Sequence, residues 1–461
     1  MEGITAQREI EEKSKGLIEL SSKIWENPEI AYKEVKACKW TAEFLQKEGF
    51  KVETGYAGVP TAIRAVWGDG KPVIGFLGEY DALPNMSQKI SARKEAIMEG
   101  APGHACGHSL LGVAHVGAVI GLKKEMKAHG LKGTVVFYGC PAEEVLTGKT
   151  FMARGGAFKE LDMAIAWHPG PINNVNFGIM AGLNSAIFHF KGITSHAGGD
   201  PYNGRSALDA AELMNVGANF LREHVTEDVR LHYAFTDVHS APNVVPDKTS
   251  VWYYVRALSR EAVEATYERL VKVAKGAAMM TETEVNIEFL GGCYSTLQNK
   301  VLGETVQETM KEIPLPEWTP EEKEFAAKLD TTSANYKRMV ESGQIKEGTH
   351  LHDTVSPIMC QNMSGSTDVG DVMHIVPGVF FTSATSNIGA AYHSWHSAAC
   401  AGHSIGMKGM LYAAKVMAVA GLKAIKDSSI IEKAKTEFDE SMNGRVYTCP
   451  IPDDIPVPSG E

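Results

Sequence analysis

A series of short apolar segments that alternate with helical ones constrains the fold most strongly. Four of these segments have the length of strands and end at turn residues: AIRAVWG, PVIGFLGEY, TVVFYGCP and MAIAWHPG. A long stretch of helical character, LLGVAHVGAVIGLKKEMKAHG, separates the second from the third. Buried strands that alternate with helices are typical of an α/β domain built on a mostly parallel sheet. We therefore predict such a sheet for the larger part of this chain.

The pattern changes near residue 183, and the chain is too long for one core. A single hydrophobic core rarely organises more than ~300 residues, and this chain has 461. Alternating strands and two amphipathic helices follow in the order β-α-β-β-α-β. We predict an inserted α+β domain of ferredoxin-like order at 184–297, between two parts of the first domain at 1–183 and 298–461. The polar segment 314–348 is predicted to be a surface excursion.

Composition excludes several classes of function. The formal net charge is −11, whereas proteins that bind nucleic acids usually present a basic face. The charged start MEGITAQREIEEKSKG has no apolar signal region, and no apolar stretch reaches the length of a membrane span. Seven cysteines, an odd number, do not form a disulfide framework in a chain of this size. We expect a cytoplasmic protein with reduced thiols and no nucleic-acid or membrane partner.

Polar side chains follow three of the predicted strands. Asp81 follows PVIGFLGEY, Glu143 and Glu144 follow TVVFYGCPA, and His168 follows MAIAW. Ligands of open α/β sheets gather outside the carboxyl ends of the strands, so these groups are expected near one another. Adjacent glutamates on an extended segment point to opposite sides, so one can bind a metal while the other meets a water. The alternatives are an ordinary surface pair of glutamates and a core histidine.

The segment GHACGH adds a thiol and an imidazole just before the long helix. Cys106 and His108 are two residues apart, and in an extended segment such positions face the same way. A thiolate with an imidazole favours transition metals over magnesium or calcium. The alternative is a small buried cysteine beside a polar group at a helix start. Far along the chain, AYHSWHSA offers His393, with His396 as its rival.

Together these residues indicate metal-assisted hydrolysis of an amide. A single catalytic zinc typically takes three protein ligands, so a larger set favours two ions with a shared ligand. Paired ions activate water and polarise a carbonyl oxygen. Glu143 remains free as a general base and proton donor. The five candidate ligands are Cys106, His108, Glu144, His168 and His393.

The ordered motifs resemble the M20 family of metallopeptidases and amidohydrolases. They are GHACGH, PAEE, WHPG, SHAGGDPYNGRSALDA and PNVVPD, with NPEIAYKE and DALP nearer the start. The resemblance extends over roughly residues 15–425. HSW, GMKGMLYAAKVM and the excursion after residue 313 further resemble one of the two kinds of subunit found in aminobenzoyl-glutamate hydrolases.

The resemblance implies a catalytic domain with a binuclear metal centre and an inserted lid that often dimerises. It implies that Cys106 bridges the two ions, that Glu143 is the general base and that Asp81 orients a ligand. The remaining metal ligands it implies are His108, Glu144, His168 and His393. Ser109 departs from the pattern, because this branch often has aspartate there.

In the lid, the resemblance implies three residues that meet the substrate. His196 in GITSHAGG would reach the substrate carbonyl, often across a dimer interface. Asn243 in PNVVPD and Arg256 in YYVRAL would bind an oxyanion or a carboxylate. The guanidinium fork of arginine suits a carboxylate, although a surface arginine on a strand is an equal alternative for Arg256.

The expected activity is hydrolysis of the amide bond in N-acyl amino acids of the aminobenzoyl-glutamate kind. The expected cofactors are two divalent ions, manganese or zinc, with cobalt as a further candidate. The expected partners are a small amide substrate with a carboxylate and either a second copy of the chain or a related subunit. Two alternatives stay open: a dipeptidase with the same centre, and a non-catalytic subunit of a hetero-oligomeric hydrolase.

Overall fold

The computed structural model describes residues 2–238 and 241–460, which form two separate sheets. One sheet has seven strands in the order β1-β2-β4-β3-β5-β11-β6, and the other has four in the order β10-β7-β9-β8. The strands, in chain order, are β1 Lys51–Thr54, β2 Ile63–Asp69, β3 Val73–Glu79, β4 Gly133–Cys140, β5 Met163–Gly170, β6 Asn174–Val175, β7 Gly182–Lys191, β8 Arg230–Val238, β9 Lys248–Ala257, β10 Glu284–Cys293 and β11 Gly378–Ala384.

Helices cover both sheets. In chain order they are α1 Ile4–Glu12, α2 Ser14–Trp25, α3 Val35–Lys47, α4 His108–His129, α5 Gly148–Arg154, α6 Ala207–Leu221, α7 Arg260–Met280, α8 Lys300–Glu312, α9 Pro320–Asp330, α10 Ala334–Glu341, α11 Val369–Met373, α12 Trp395–Gly402, α13 Ser404–Lys426 and α14 Ser428–Met442.

The centre of the seven-stranded sheet is parallel. Strands β4, β3, β5 and β11 run in the same direction, and β3 is buried along its whole length. The outer strands β1, β2 and β6 pair antiparallel. The predicted α/β class with a parallel centre is confirmed. Four strand ends therefore meet at one edge, where parallel sheets hold their ligands.

Helices α4 and α13 form the core beneath this sheet. A Cβ on Gly117 of α4 would lie 3.1 Å from Ala414 of α13, so the glycine permits close packing of the two helices. By length and composition α13 could cross a membrane, but 83% of its most apolar window is buried inside the protein. Its apolar character is thus accounted for by the core.

The four-stranded sheet is antiparallel and carries α6 and α7 on one face. The chain passes through β7, α6, β8, β9, α7 and β10, which is the predicted β-α-β-β-α-β order. It enters the sheet at Gly182 and leaves it at Cys293. We call this unit, residues 182–293, the lid. The domain boundaries proposed above remain a prediction.

Segment 314–348 is more ordered than a surface excursion. It contains α9 and α10, and α9 begins with a capping box in which Thr319 and Glu322 bond reciprocally. Leu329 and Asp330 at the end of α9 are buried against the rest of the protein. The prediction of a surface segment was wrong for these residues, because the apolar face of α9 needs a partner.

Candidate metal centre

Three of the predicted groups lie where the sequence placed them, at the carboxyl edge of the parallel strands. Asp81 follows β3, Glu143 and Glu144 occupy a 3-10 turn after β4, and His168 lies near the end of β5. The chain enters this turn at Ala142, which has a left-handed conformation with a φ of 56°. The two glutamates therefore do not lie on an extended segment as predicted, but the turn still separates their carboxylates.

The start of α4 brings the thiol and the imidazole into the same space. Gly107 caps the helix with a φ of 84°, a conformation that disfavours any side chain. A Cβ there would also lie 3.0 Å from Pro169. The left-handed turn directs Cys106 towards β5, where its Sγ lies 3.3 Å from His168 Nε2. The predicted extended geometry was wrong, since His108 is already the first residue of α4.

Asp81 orients two of the candidate ligands at once. Its Oδ1 accepts a hydrogen bond from His108 Nδ1 at 2.8 Å, and its Oδ2 accepts one from the Glu144 backbone amide at 2.8 Å. Burial alone would raise the pKa of Asp81, but His108 and the amide hold it below its ordinary value. Because Nδ1 is bonded to Asp81, His108 turns Nε2 towards Glu79 and Glu143, where it could bind a cation once deprotonated.

The candidate ligands form two groups that share one thiol. Ligand atoms of Cys106, His108 and His168 lie within 4.8 Å of one another, and so do those of Cys106, Glu144 and His393. A third group of the same size joins His108 and Glu143 with Glu79. Two adjoining groups with a common thiol have the arrangement that two neighbouring cations with a bridging ligand require.

Several buried atoms at this position lack a hydrogen-bond partner among the described residues. They are Oε2 of Glu79, Nε2 of His108 and Oε1 of Glu144. Buried polar atoms are normally bonded, so each such atom needs an explanation. Nε2 of His108 and Oε2 of Glu79 lie 3.3 Å apart, and carboxylate oxygens that converge with an imidazole nitrogen fit a divalent cation. The residues present therefore fit the metal that the resemblance implies.

The two remaining histidines are poised as neutral ligands. His168 donates from Nδ1 to the Pro169 carbonyl at 2.7 Å, which leaves Nε2 free, and burial lowers its pKa to about 4. Nε2 of His393 lies 3.4 Å from Oε2 of Glu144; the side chain is 53% exposed, and its partial desolvation lowers its pKa. Its φ of 57° is left-handed, a strained conformation of the kind found at functional sites. His396 lies elsewhere and bonds Thr332 Oγ1 through Nε2 at 2.9 Å.

Glu143 lies beside these groups without belonging to either three-residue group that contains Cys106. Its Oε2 is 3.9 Å from His108 Nε2. Burial, reinforced by the nearby carboxylate of Glu79, raises the pKa of Glu143 well above its ordinary value. A carboxyl group with a raised pKa can take and return a proton near neutral pH, as general catalysis requires.

The sequence interpretation missed a buried ion cluster behind the site. Lys149 is fully buried, and its Nζ lies 2.5 Å from Glu79 and 2.6 Å from Asp368. These two carboxylates raise the pKa of Lys149 despite its burial. Glu79 could have been found, because it is two residues before Asp81 at the end of one strand and so faces the same way. Lys149 has no such signal, since a lysine in a helix is normally exposed.

The lid residues lie apart from the candidate ligands. His196 is exposed, and its Nδ1 accepts hydrogen bonds from the amides of Gly198 and Gly199. Asn243 is also exposed, on the neighbouring loop, and its carbonyl accepts from the Ala197 amide at 2.9 Å. Within the part of the chain that the structure describes, no contact joins either residue to the metal-ligand candidates.

Arg256 in β9 does contact the larger domain. Its Nη1 donates to Ser366 Oγ at 2.7 Å, and burial lowers its pKa. Ser366 is two residues before Asp368, which binds Lys149. Arg256 is therefore half-buried where the lid contacts the larger domain, and is not an exposed arginine on a strand.

The chain is similar in sequence to known proteins. Residues 180–279 match the peptidase dimerisation domain of the M20 family. The chain is 38% identical to one of the subunits of p-aminobenzoyl-glutamate hydrolase from Escherichia coli K12, over 95% of each protein. It is 28% identical to the Xaa-Arg dipeptidase of Mus musculus, over 94% of the chain and 91% of that enzyme.

A solved structure shows the same fold. The crystal structure of a dinuclear metal binding peptidase of the M20 family from Bacillus subtilis matches with a TM-score of 0.59 at 18% identity, over 90% of this chain and 99% of that one. The matched residues include β7, α6, β8, β9 and nearly all of α7, and the match ends before β10. The chain belongs to the M20 family of amide-bond hydrolases.

Proposed function

We propose that this protein hydrolyses the amide bond of N-acyl amino acids with the help of two divalent cations. The observation that carries the proposal is the pair of three-residue ligand groups that share Cys106, with Glu143 beside them. Such an arrangement suits hydrolysis, because two neighbouring ions can hold both the attacking and the reacting oxygen.

The proposed ligands of the ions come from both groups. Cys106 would bridge the ions, with His108 and His168 on one side and Glu144 and His393 on the other. Mixed thiolate, imidazole and carboxylate ligands suit manganese or zinc, and cobalt as a further candidate. When bound, the ions would supply Lewis-acid polarisation of the amide carbonyl and lower the pKa of a water.

The protein's own groups would move the proton. Glu143 takes a proton from the attacking water and returns it to the departing amine nitrogen, so it is unchanged after one turnover. Its burial supports this role, because it raises the proton affinity of the carboxylate. Asp81 keeps His108 in the tautomer that leaves Nε2 free. The ion pairs of Lys149 fix Glu79 and Asp368 behind the site.

The lid would bind the polar ends of the substrate. Arg256 would hold the carboxylate of the amino-acid part, and its bond to Ser366 of the larger domain supports this role. His196 and Asn243 would stabilise the oxyanion after the lid closes or a second copy approaches, because their loops are exposed in this conformation. Lid closure of this kind also excludes water from the reacting amide.

The substrate class follows from the relatives. The Escherichia coli relative, named for the hydrolysis of p-aminobenzoyl-glutamate, spans nearly the whole chain, which supports an aroyl amino acid as substrate. The relative named Xaa-Arg dipeptidase also spans nearly the whole chain, so cleavage of small peptides is a second candidate. Both reactions break an amide next to a carboxylate-bearing residue, so both suit the same centre.

We further propose that the lid joins two subunits, either two copies or this chain and a related subunit. The matched dimerisation domain supports association. The Escherichia coli relative is named as one subunit of its hydrolase, which supports an unlike partner.

All seven cysteines are unpaired in the structure, which supports the proposal of a cytoplasmic location.

The test compares the purified protein with Glu143→Gln. Aminobenzoyl-glutamate, N-acetyl amino acids and dipeptides are offered after loading with manganese or zinc. We expect Glu143→Gln to lose a factor of about 100 to 10,000 in kcat, because general catalysis is removed, while metal content measured by mass spectrometry is unchanged. Glu284→Gln on the exposed edge of β10 is the matched control. Full activity of Glu143→Gln would exclude the proposed role, and a metal-loaded but inactive wild-type protein would favour the non-catalytic subunit.

A further inference from the structure

A cavity of about 800 Å³ opens directly beside the candidate metal centre. Its walls come from three segments that are distant in sequence: loop 85–100 after β3, residues 332–338 around the start of α10, and residues 389–396, which end in the first turn of α12. His393 lines it, so the cavity and the candidate centre share a residue. Its volume is in the upper range of pockets that bury drug-sized ligands.

The wall at residues 332–338, which directly follows α9, is fixed to the rest of the site. Asp330 is 1% exposed, and its Oδ1 accepts hydrogen bonds from Asn387 Nδ2 at 2.6 Å and from the Gly389 amide at 3.1 Å. Ser333 Oγ donates to the Gly389 carbonyl at 2.6 Å. Thr332 bonds His396 on the opposite segment. The cavity is therefore pre-formed, because buried bonds join two of its three walls.

The third wall is also held in place. Gln88 is 3% exposed, and its side chain donates to the carbonyls of Lys89 and Arg93 and accepts from the Glu95 amide. These bonds close the loop that carries Lys94 into the lining. Lys94 is exposed, and the buried side chain of Gln88 holds the backbone of the loop that carries it.

The lining is cationic and contains an aromatic surface. Lys94 and Arg338 come from two different walls, and Glu99 is the one carboxylate in the described lining. Arg338 donates to the neutral amide oxygen of Asn335. Neither Lys94 nor Arg338 forms an ion pair with any residue that the structure describes. The Trp395 ring stacks on His396 with centroids 3.9 Å apart. A flat ring with a negative group at its far end matches this lining.

The cavity and Arg256 are connected to the centre through different residues. Arg256 donates a hydrogen bond to Ser366, which is two residues before Asp368. Asp368 forms an ion pair with Lys149, and Lys149 also pairs with Glu79. The cavity instead meets the centre at His393, which pairs with Glu144. If Arg256 holds the amino-acid part, the scissile amide lies between them and the cavity faces the acyl part.

We propose that this cavity is the acyl subsite and that it selects an aromatic acyl group with an anionic substituent beyond the ring. The ring lies against Trp395, and the anionic substituent pairs with Lys94 and Arg338. This subsite rests on the proposed amidohydrolase function, and it adds a substrate preference that the function alone does not specify.

The test compares kcat/KM for N-(4-carboxybenzoyl)glutamate, N-benzoylglutamate and N-acetylglutamate. We expect the wild-type protein to prefer the carboxybenzoyl substrate over the benzoyl one by about tenfold or more, because a charge-assisted bond is gained. Arg338→Gln and Lys94→Met should reduce this preference towards unity and leave N-acetylglutamate unaffected. Lys337→Gln, the exposed neighbour on α10, is the control and should retain the preference.

Calorimetric binding of terephthalate to the same variants separates this proposal from the proposed function. If no acyl amino acid is cleaved but terephthalate binds in a manner that depends on Arg338 and not on Lys337, the subsite stands and the hydrolase function fails. If substrates are cleaved without preference for the carboxybenzoyl group, the subsite is overturned and the function stands. Equal losses for all three substrates in Arg338→Gln would also overturn it, because they indicate a structural defect.

Discussion

At the scale of single residues, buried carboxylates dominate the electrostatics of this protein. Burial raises the pKa of Glu144 to about 7 and that of Asp368 to about 6. Glu144 is a candidate metal ligand, and Asp368 pairs with Lys149 behind the site. Asp371 lies outside it: its Oδ1 accepts from the Tyr447 hydroxyl at 2.7 Å and its Oδ2 from the Tyr294 amide at 3.1 Å. Burial raises the pKa of Asp371 to about 7 despite both bonds.

Asp371 should therefore destabilise the fold as the pH rises. In the unfolded chain its pKa is about 3.9, so between pH 4 and 7 the folded state binds a proton that the unfolded state has lost. The stabilisation is complete below pH 4 and is lost as the pH rises through 7. Asp371→Asn removes this dependence, so the free energy of unfolding of the variant should gain roughly 4 kcal/mol on the wild type between pH 4 and 8.

Urea unfolding at a series of pH values measures this difference. Asp453→Asn, an exposed position near the C-terminus, is the control and should follow the wild type. Parallel pH profiles for Asp371→Asn and the wild type would show that Asp371 is ionised in the folded protein.

At the scale of elements, α4 links the fold to the site. The helix starts at His108 and ends at His129, and a left-handed glycine caps each end, Gly107 at 84° and Gly130 at 63°. The two caps differ in their surroundings. A Cβ on Gly107 would press on Pro169, while a Cβ on Gly130 would meet nothing within 4 Å. Only the first cap sets the positions of Cys106 and His108.

The two glycines provide a matched pair of variants. Gly130→Ala should cost about 1 kcal/mol of stability through its backbone conformation and leave metal affinity unchanged. Gly107→Ala should cost more than Gly130→Ala and should also weaken metal binding, because the turn must shift away from Pro169. Thermal unfolding and competition with a chelator measure the two effects. Equal metal affinity in both variants would disprove the role assigned to Gly107.

The same element shows what the sequence could and could not predict. The apolar strands predicted the parallel sheet, and the sheet predicted that Asp81, Glu143 and His168 would lie near one another. The sequence did not reveal that Gly107 turns left-handed, because the glycine is required by a contact with Pro169, which is distant in sequence. Polar composition favoured a surface segment at 314–348, but the bonds of Asp330 to 387–389 make it a wall of the cavity.

At the scale of the whole molecule, the lid exposes apolar surface. On α6, Val216 is 48% exposed and Phe220 is 65% exposed. The neighbouring edge strand β8 exposes Tyr233 and Phe235 as well. Edge strands and apolar patches of this kind are typical of surfaces that pair with another chain. This surface agrees with the proposal that the lid joins two subunits.

Phe220→Asp should therefore weaken association. A buried aromatic side chain at the centre of an interface commonly contributes about 2 kcal/mol or more, so we expect the dissociation constant to rise by at least about 30-fold. Sedimentation velocity over a range of concentrations measures it. Val446→Asp, at an exposed apolar residue outside the lid, is the control. An unchanged mass for Phe220→Asp would place the interface elsewhere.

Anomalous diffraction from crystals soaked with manganese tests the metal centre most directly. We expect two peaks about 4 Å apart or less, with the Cys106 thiolate between them. His108 and His168 should contact one peak, and Glu144 and His393 the other. A map without ions at these side chains, or with Cys106 turned away from both, would contradict the binuclear centre and the reaction proposed for it.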